Sequence, residues 1–475
     1  MKRLPGIKGL ASGLNQRKST KNSVNYLVAN ADSLSTYGSI DGLSIGFSNG
    51  EKQAKGMAHH LTNLRFELGR ELWTRRFFVS PDVIDEVLYH VIASERSEDP
   101  LLRSLEIIRD NRIARPGVII FPVHSFGVLG GGFMRFGRER AWRFNPPASE
   151  LAIFPQSNQW KRTLDNIGDA CRIFEVRKAV PVELMDHWRK SRSLRWLERN
   201  PLMAIRARTA PGSYYDTEFF VVGRLKSAST LACMLSTLQP INDDRGFRLI
   251  SSSRMNNWET LDIHHYINLF DSPSSRRTLT GDCVPINSRQ AELADVSELN
   301  IEVDPRYWSR NGGGAARVRA AVDAVYDGHM RHVILRRTKQ EDGKFHAFKK
   351  LHDSQTYFRR SFHVSEEGWS SIISLATAFE MMLTDGTSSG KVADRLKERV
   401  RLLLRGTKGV LNYADSVHSL YKARNFVVHA GMVPGGVDLD TARKAYVRCF
   451  IKMAERVDTL NPRSTSPMRD ICGDN

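Results

Sequence analysis

The C-terminal third of the sequence repeats one pattern, apolar residues at three- and four-residue steps, and this pattern restricts the fold more than any other feature. It occurs in residues 316–330, 368–383, 391–405, 412–432 and 440–460. Amphipathic segments of this kind must bury one face, and mostly short connections place consecutive helices side by side. The spacing therefore predicts an all-α helical bundle over residues 301–465, followed by a short tail over 466–475.

The N-terminal two thirds of the sequence mix helical and strand patterns. The segments concerned are helical stretches within 56–115, strands at 118–121 and 218–223, and helices over 181–199 and 227–238. Residues 1–55, rich in Ser, Asn, Gly and Lys, predict a basic, partly disordered arm with short strands near 24–28. A turn-rich stretch at 271–314 indicates a domain boundary. The predicted fold class is α+β, with a mixed domain over 56–300 preceding the all-α bundle.

Charge and cysteine content restrict the partners of the chain. Lys and Arg number 70 against 52 Asp and Glu, a formal charge of +18, which favours a polyanionic partner, nucleic acid first. The five cysteines are far apart and form no Cys-x-x-Cys pair, so neither a disulfide framework nor a zinc ribbon is predicted. No signal peptide is visible, and the longest uncharged run, 116–134, contains a proline and many glycines. We therefore expect a cytoplasmic protein without membrane spans, metal or cofactor.

The fourth helical segment, 412–432, carries the most chemical information. Its apolar stripe comprises Tyr413, Val417, Leu420, Tyr421, Val427 and Val428. Arg424 lies within this stripe, and because a guanidinium keeps its charge, it must meet a carboxylate, a phosphate or a wet cavity. Asn425 and His429 are four residues apart and share the adjoining face. Gly431 is a predicted left-handed helix stop, so the three polar side chains gather near one helix end.

The hexapeptide from Arg424 to His429, Arg-Asn-Phe-Val-Val-His, resembles the Arg-Asn-x-x-x-His signature of the HEPN ribonucleases. The flanking residues, the helix order and segments 375–380 and 395–400 are similar to the Apea-like branch of that family. The resemblance covers about residues 315–462. It implies a metal-independent endoribonuclease that cleaves RNA through its 2′-hydroxyl, and a homodimer in which two such helices face each other.

The roles of the site residues follow from that resemblance and from their chemistry. An imidazole that titrates near neutrality suits proton transfer, which is the role expected of His429. The planar fork of Arg424 suits two phosphate oxygens at once, and Asn425 is expected to orient it. Glu380, on an apolar helical segment, is expected to pair with Arg424 and fix its rotamer, as in the family.

Further RNA contacts are predicted from basic and aromatic side chains, because positive charge holds phosphates and aromatic rings stack on bases. These candidates are Lys422, Arg395, Arg399, Arg143, Trp142, Arg192 and Arg195. The resemblance also implies a setting in antiviral defence, abortive infection or toxin-type growth arrest. The N-terminal domain would then sense a phage-derived or host trigger.

Three alternatives remain beside the nuclease. The serious one is a non-catalytic RNA-binding or dimerisation scaffold that retains a structural HEPN-like bundle. A P-loop at 386–392 misses the required spacing by one residue and has Val392 where Ser or Thr must bind magnesium. Gly-x-Ser-x-Gly occurs at 42–46, 46–50 and 386–390, but a serine-hydrolase elbow also requires a preceding buried strand. No His-Glu-x-x-His is present.

Overall fold

The structure is a computed structural model. It describes residues 6–75, 79, 81–111, 117–123, 126–128, 134–135, 151–190, 196–207, 214–240, 265–271, 277–285, 299–335, 342–363, 368–386, 390–432 and 434–474. Most of these residues are helical and a smaller part forms an antiparallel sheet, in agreement with the predicted α+β class. The chain divides into two compact units. One comprises Met1–Arg115, Arg208–Phe220 and Ile334–Gln340, and the other comprises Pro116–Ala207, Val221–Val333 and Glu341–Asn475.

The first unit is helical. Its helices are α1 Ile7–Asn15, α2 Lys18–Ala29, α3 Ala31–Ser35, α4 Ile40–Ser48, α5 Lys52–Thr74, α6 Pro81–Tyr89 with a π-helical turn His90–Ser94, and α7 Pro100–Asn111. Helix α5 is central, and α2, α4 and α6 pack against it. Its leucines 61, 64, 68 and 72 are fully or almost fully buried, as their helical spacing predicts.

The predicted arm with short strands near 24–28 is wrong, because helix α2 covers these residues. The buried face of α2 carries Thr20, Ser23 and Leu27, so polar side chains occupy positions where the sequence pattern requires apolar ones. Ser23 compensates by bonding across to α5, where its Oγ lies 3.0 Å from His60 Nδ1 and accepts from Asn63 Nδ2 at 2.8 Å. Because its buried face carries polar residues, the composition of this helix resembles that of a disordered segment.

The second unit is built on a six-stranded sheet. The strands of the unit as a whole are β1 Gly117–Pro122, β2 Phe126–Val128, β3 Met134–Arg135, β4 Leu151–Phe154, β5 Leu202–Ala207, β6 His265–Phe270, β7 Thr280–Pro285 and β8 Ile301–Val303. The sheet order is β3-β4-β5-β1-β6-β7 with antiparallel neighbours, while β2 and β8 form a separate parallel pair. The accompanying helices are α8 Trp160–Ile173, α9 Val182–Lys190, α10 Trp196–Arg199 and α11 Tyr214–Leu238, of which residues 214–220 belong to the first unit.

Strand β1 confirms the buried strand predicted at 118–121. Val118 and Ile120 belong to the apolar core shared with α8, while Ile119 and Phe121 belong to the core on the opposite face. The strand predicted at 218–223 is wrong, since these residues lie inside the long helix α11. A short apolar run does not distinguish a buried strand from part of a buried helix. The predicted basic helix over 181–199 corresponds to α9 and α10, and residues 191–195 lie outside the described part.

The C-terminal part of this unit is helical. Its helices are α12 Pro305–Arg310, α13 Gly312–His329 with a π-helical turn Met330–Ile334, α14 Gly343–Arg360, α15 Trp369–Leu383, α16 Val392–Leu403, α17 Val410–Ala430, α18 Leu439–Arg456 with a 3₁₀ turn Val457–Thr459, and α19 Pro467–Cys472. All five predicted helices are present. Helix α14 was not predicted, although it packs closely against its neighbour α15.

The domain division differs from the predicted boundaries. Ile119 and Ile205 of the sheet belong to the same apolar core as Phe379 of α15 and Tyr446 of α18. A boundary near residue 300 would cut through this core. The described residues within the turn-rich stretch 271–314 include strands β7 and β8 and helix α12.

Two half-buried histidines lie where α13 packs on α14. The rings of His329 and His352 are stacked, with centroids 3.9 Å apart and planes inclined by 13°. Burial lowers the pKa of both imidazoles, that of His329 to about 3. The carboxylate of Asp353 lies 3.6 Å from His352 Nδ1 and is itself paired with Lys349 at 2.5 Å. Both rings are therefore neutral at pH 7.

We expect the stability of the protein to fall as the pH drops below about 6.5, the pKa of an unfolded-state histidine. The unfolded chain then binds protons that the two imidazoles do not bind in the folded protein. The stability therefore continues to fall until the pH reaches the pKa of the folded state. For His329 alone the loss reaches about 2 kcal/mol at pH 5. Urea unfolding measures the free energy of unfolding at pH 7 and at pH 5. The difference between the two values should be about 2 kcal/mol smaller in His329→Gln than in the wild type. The exposed His59 provides the control, and equal pH dependence in both variants would contradict the assignment.

Candidate active site

Helix α17 positions the Arg, Asn and His of the sequence signature. It runs between Gly409 and Gly431, which have φ values of 80° and 67°. The N–H of Gly431 donates to the carbonyl of Val427 at 3.0 Å, so the predicted left-handed helix stop is confirmed. The buried face of α17 packs against α15, α16 and α18. It comprises Ala414, Val417, Leu420, Tyr421, Ala423 and Val427.

Arg424 is half-buried and has no carboxylate partner among the described residues. Its Nη1 donates to Asn425 Oδ1 at 3.0 Å, and its Cζ lies 5.6 Å from the ring centroid of Tyr421. The Nε atom is buried and has no hydrogen-bond partner in the described part of the chain. Amide and aromatic contacts of this kind orient a guanidinium without cancelling its charge.

The predicted pairing of Glu380 with Arg424 is absent, although the structure describes both residues. Glu380 Oε2 accepts a long hydrogen bond of 3.4 Å from the hydroxyl of Tyr421. Lys350 donates from its Nζ to the carbonyl of Thr384 at 2.8 Å. Burial lowers the pKa of this ammonium, and the carboxylates of Asp385 and Glu380 oppose that fall. Glu380 therefore accepts a hydrogen bond from Tyr421 and lies within Coulomb range of Lys350.

Asn425 and His429 lie on one face of the last turns of α17. Asn425 is half-buried and His429 is exposed, so the imidazole is accessible to a large substrate. No side chain in the described ranges hydrogen-bonds to the ring of His429. The structure thus brings Arg424 and Asn425 into direct contact and leaves His429 on the adjoining surface.

Large apolar side chains are exposed beside these polar residues. Phe426, Val428 and Met432 retain 47%, 51% and 62% of their accessible surface. Val428 lies three residues after Asn425 on α17 and directly precedes His429, while Met432 follows the helix stop at Gly431. Clustered exposed apolar residues rimmed by polar ones are typical of interaction surfaces.

The other predicted RNA contacts differ in accessibility. Lys422 is exposed, whereas Arg395 is half-buried with its Nη2 3.5 Å from the carbonyl of Gly390. Arg399 is only 5% exposed; it donates to the carbonyl of Leu383 and, at 2.9 Å, to Asp474 Oδ2. Its guanidinium binds the C-terminal segment and is not accessible at the surface. The prediction that Arg399 contacts RNA is therefore wrong. The remaining candidates, Trp142, Arg143, Arg192 and Arg195, lie outside the described residues.

Tyr421 is the site residue that sequence reasoning missed. It was assigned to the apolar stripe, yet its ring contacts Arg424 and its hydroxyl contacts Glu380. Burial and the charge of Glu380 raise its pKa, and the positive charge of Arg424 opposes the rise. The signal in the sequence is the three-residue step from Tyr421 to Arg424, which brings a ring and a cation onto one helix face.

The alternative motifs do not gain support. Gly42 and Gly46 lie inside helix α4, so this segment is not the strand-turn-helix of a nucleophile elbow. The segment from Gly386 to Lys391 follows helix α15, where a P-loop requires a strand, and 387–389 lie outside the described residues.

Within the described residues, no cluster of three or more His, Cys, Asp or Glu side chains is arranged to hold a metal ion. No described helix combines the length and apolarity needed to cross a bilayer. Comparison of the chain with family models, with curated proteins and with solved structures gave no match.

Proposed function

We propose that this protein is a metal-independent endoribonuclease of the HEPN type, acting in the cytoplasm as a defence or toxin-type effector. The observation that carries the proposal is the state of Arg424. Its charge has no carboxylate partner in the described structure, and its buried Nε–H has no acceptor. A guanidinium held in this way suits an anion supplied from outside, and the exposed His429 lies near the same helix end.

The chemistry proposed is attack of a ribose 2′-hydroxyl on the adjacent phosphorus. His429 takes the proton of that hydroxyl, the new O2′–P bond forms, and the P–O5′ bond breaks to leave a 2′,3′-cyclic phosphate. Arg424 holds the non-bridging oxygens as negative charge builds on them, and Asn425 Oδ1 orients Arg424 Nη1. The departing 5′-oxygen requires a proton from a second group.

A homodimer supplies that second group in our proposal. A two-fold contact between two α17 helices would bring a second His429 to the cleft as the general acid. The exposed Val428 beside His429 and the exposed Met432 just past the helix end support such a contact, because pairing would remove their apolar surface from water. The first unit, with its separate helical core, is the proposed place for a phage-derived or host trigger.

Replacement of Arg424 by alanine tests the proposal directly. We expect end-labelled RNA to be cleaved by the wild type in EDTA with cyclic-phosphate ends, and Arg424→Ala to lower kcat/KM by about 10²–10³-fold. Arg448→Ala is a matched control, since its exposed guanidinium on α18 lies 5.3 Å from the ring of Tyr413. Cleavage that survives both Arg424→Ala and His429→Ala would place the chemistry elsewhere.

One observation favours the alternative of a non-catalytic RNA-binding scaffold. The ring of His429 has no orienting hydrogen-bond partner in the part of the chain that the structure describes. A catalytic imidazole is normally held in one tautomer by such a partner. Binding of RNA without cleavage, by a dimer that also fails to arrest growth when expressed in cells, would support the scaffold.

A further inference from the structure

Tyr421 contacts both a carboxylate, that of Glu380, and a guanidinium, that of Arg424. The hydroxyl of Tyr421 lies 3.4 Å from Glu380 Oε2, and its ring centroid lies 5.6 Å from Arg424 Cζ. Both charges act on the hydroxyl in opposite directions, so both lie within Coulomb range of the same atom. Nevertheless Arg424 and Glu380, both described, form no ion pair.

This separation requires a physical cause. A half-buried guanidinium and a carboxylate this near would gain energy by closing into a bidentate contact. Tyr421 is only 6% exposed, so its ring occupies that space and cannot swing aside into solvent. The ring also attracts the cation, and the hydroxyl of Tyr421 donates to Glu380.

We propose that Tyr421 is a positioning residue that keeps Arg424 from pairing with Glu380, so that the guanidinium stays available for an RNA phosphate. The availability for RNA rests on the function proposed above. The separation of the two charges does not, because it concerns only residues of this chain. Tyr421 acts through Arg424 and touches no substrate itself.

Arginine labelling tests the separation without RNA. The full-length protein is treated with p-hydroxyphenylglyoxal, and modification of Arg424 is followed by mass spectrometry. In Tyr421→Leu the guanidinium is free to pair with Glu380, and we expect labelling to slow about fivefold, the effect of an ion pair of about 1 kcal/mol. In Tyr421→Leu/Glu380→Gln the competing charge is gone, and labelling should return to within about twofold of wild type.

Three controls accompany this cycle. Tyr421→Phe keeps the ring and should remain within about twofold of wild type, because the 3.4 Å hydroxyl contact is long and weak. Tyr413 lies on the same helix as Tyr421, and its ring lies beside Arg448 of α18. Tyr413→Leu removes that ring and should leave the labelling of Arg424 unchanged. Tyr421→Met is prepared in parallel, because its flexible side chain fills an irregular gap if leucine unfolds the protein.

Binding of a 2′-O-methyl RNA, which cannot be cleaved, completes the test. Tyr421→Leu should weaken binding about fivefold, with recovery in the double variant. Unchanged labelling in Tyr421→Leu, or slow labelling that Glu380→Gln does not restore, overturns the positioning role whatever RNA does. The expected labelling pattern in a protein that binds no RNA supports the positioning role and rejects the proposed function.

Discussion

Replacement of His429 by alanine is expected to lower RNA cleavage by about 10²–10⁴-fold, the usual contribution of a general base. No other titratable side chain of the signature can take the 2′-hydroxyl proton, because Arg424 stays charged and Asn425 does not ionise. The imidazole is exposed, so the free energy of unfolding should change by less than about 0.5 kcal/mol. Single-turnover cleavage in EDTA, together with urea unfolding, measures both effects.

His418 provides the matched control for this experiment. It lies on the same helix, where its Nε2 is 3.1 Å from Asp394 Oδ1 of the neighbouring helix α16. Its imidazole therefore has a carboxylate partner and lies away from the Arg424 cluster by almost two turns. His418→Ala should cleave RNA at nearly the wild-type rate. Equal losses in the two variants would show that the effect comes from the fold of α17 and not from proton transfer.

A second large effect is expected from Gly328→Ala, which should destabilise the protein by about 3 kcal/mol. Gly328 lies in α13, and a Cβ built on it would overlap three ring atoms of Phe348 on α14. Phe348 is 1% exposed and its other face stacks on His332, so the ring has no free space to enter. Either the two helices separate or the ring leaves its rotamer, and both disturb the close-packed core. The midpoint of urea unfolding measures the loss.

Gly168 makes the corresponding control, because it also lies inside a helix, α8, but has open space around its Cα. Alanine there should stabilise the protein by about 0.5–1 kcal/mol through its higher helix propensity. The two substitutions are chemically identical, but the space around the two glycines differs. The two changes in the free energy of unfolding should therefore have opposite signs. Destabilisation of the same size at both positions would indicate a general effect of helical glycine loss and contradict the close approach.

Much of the helical structure could be predicted from apolar spacing alone. Helices α5, α13 and α15–α18 follow leucine, valine and aromatic residues at three- and four-residue steps, which need no knowledge of their partners. Helix α2 could not be predicted, since its buried face depends on hydrogen bonds from α5 to Ser23. In helix α14 the buried Phe348 and Leu351 have lysines and histidines as neighbours in the sequence. The helical periodicity of its apolar residues is therefore weak.

The part of the candidate site that lies on one helix could be predicted from the sequence. Arg424, Asn425 and His429 lie within two turns of one helix, and helical spacing alone places them together. The partner of Arg424 was not predictable, because Glu380 belongs to another helix. In the structure its carboxylate accepts a hydrogen bond from Tyr421 instead. Such contacts depend on helix packing, which sequence spacing does not fix.

The apolar core that joins the sheet to the C-terminal helices makes the helical region a poor candidate for transfer between proteins. Cutting the chain before α13 would strip Ile119, Phe121 and Ile205 from the surface they cover and leave that surface in water. A fragment of this kind would tend to aggregate. Any ancestor that acquired these helices had to acquire the strands with them, or evolve a new cover for their inner face.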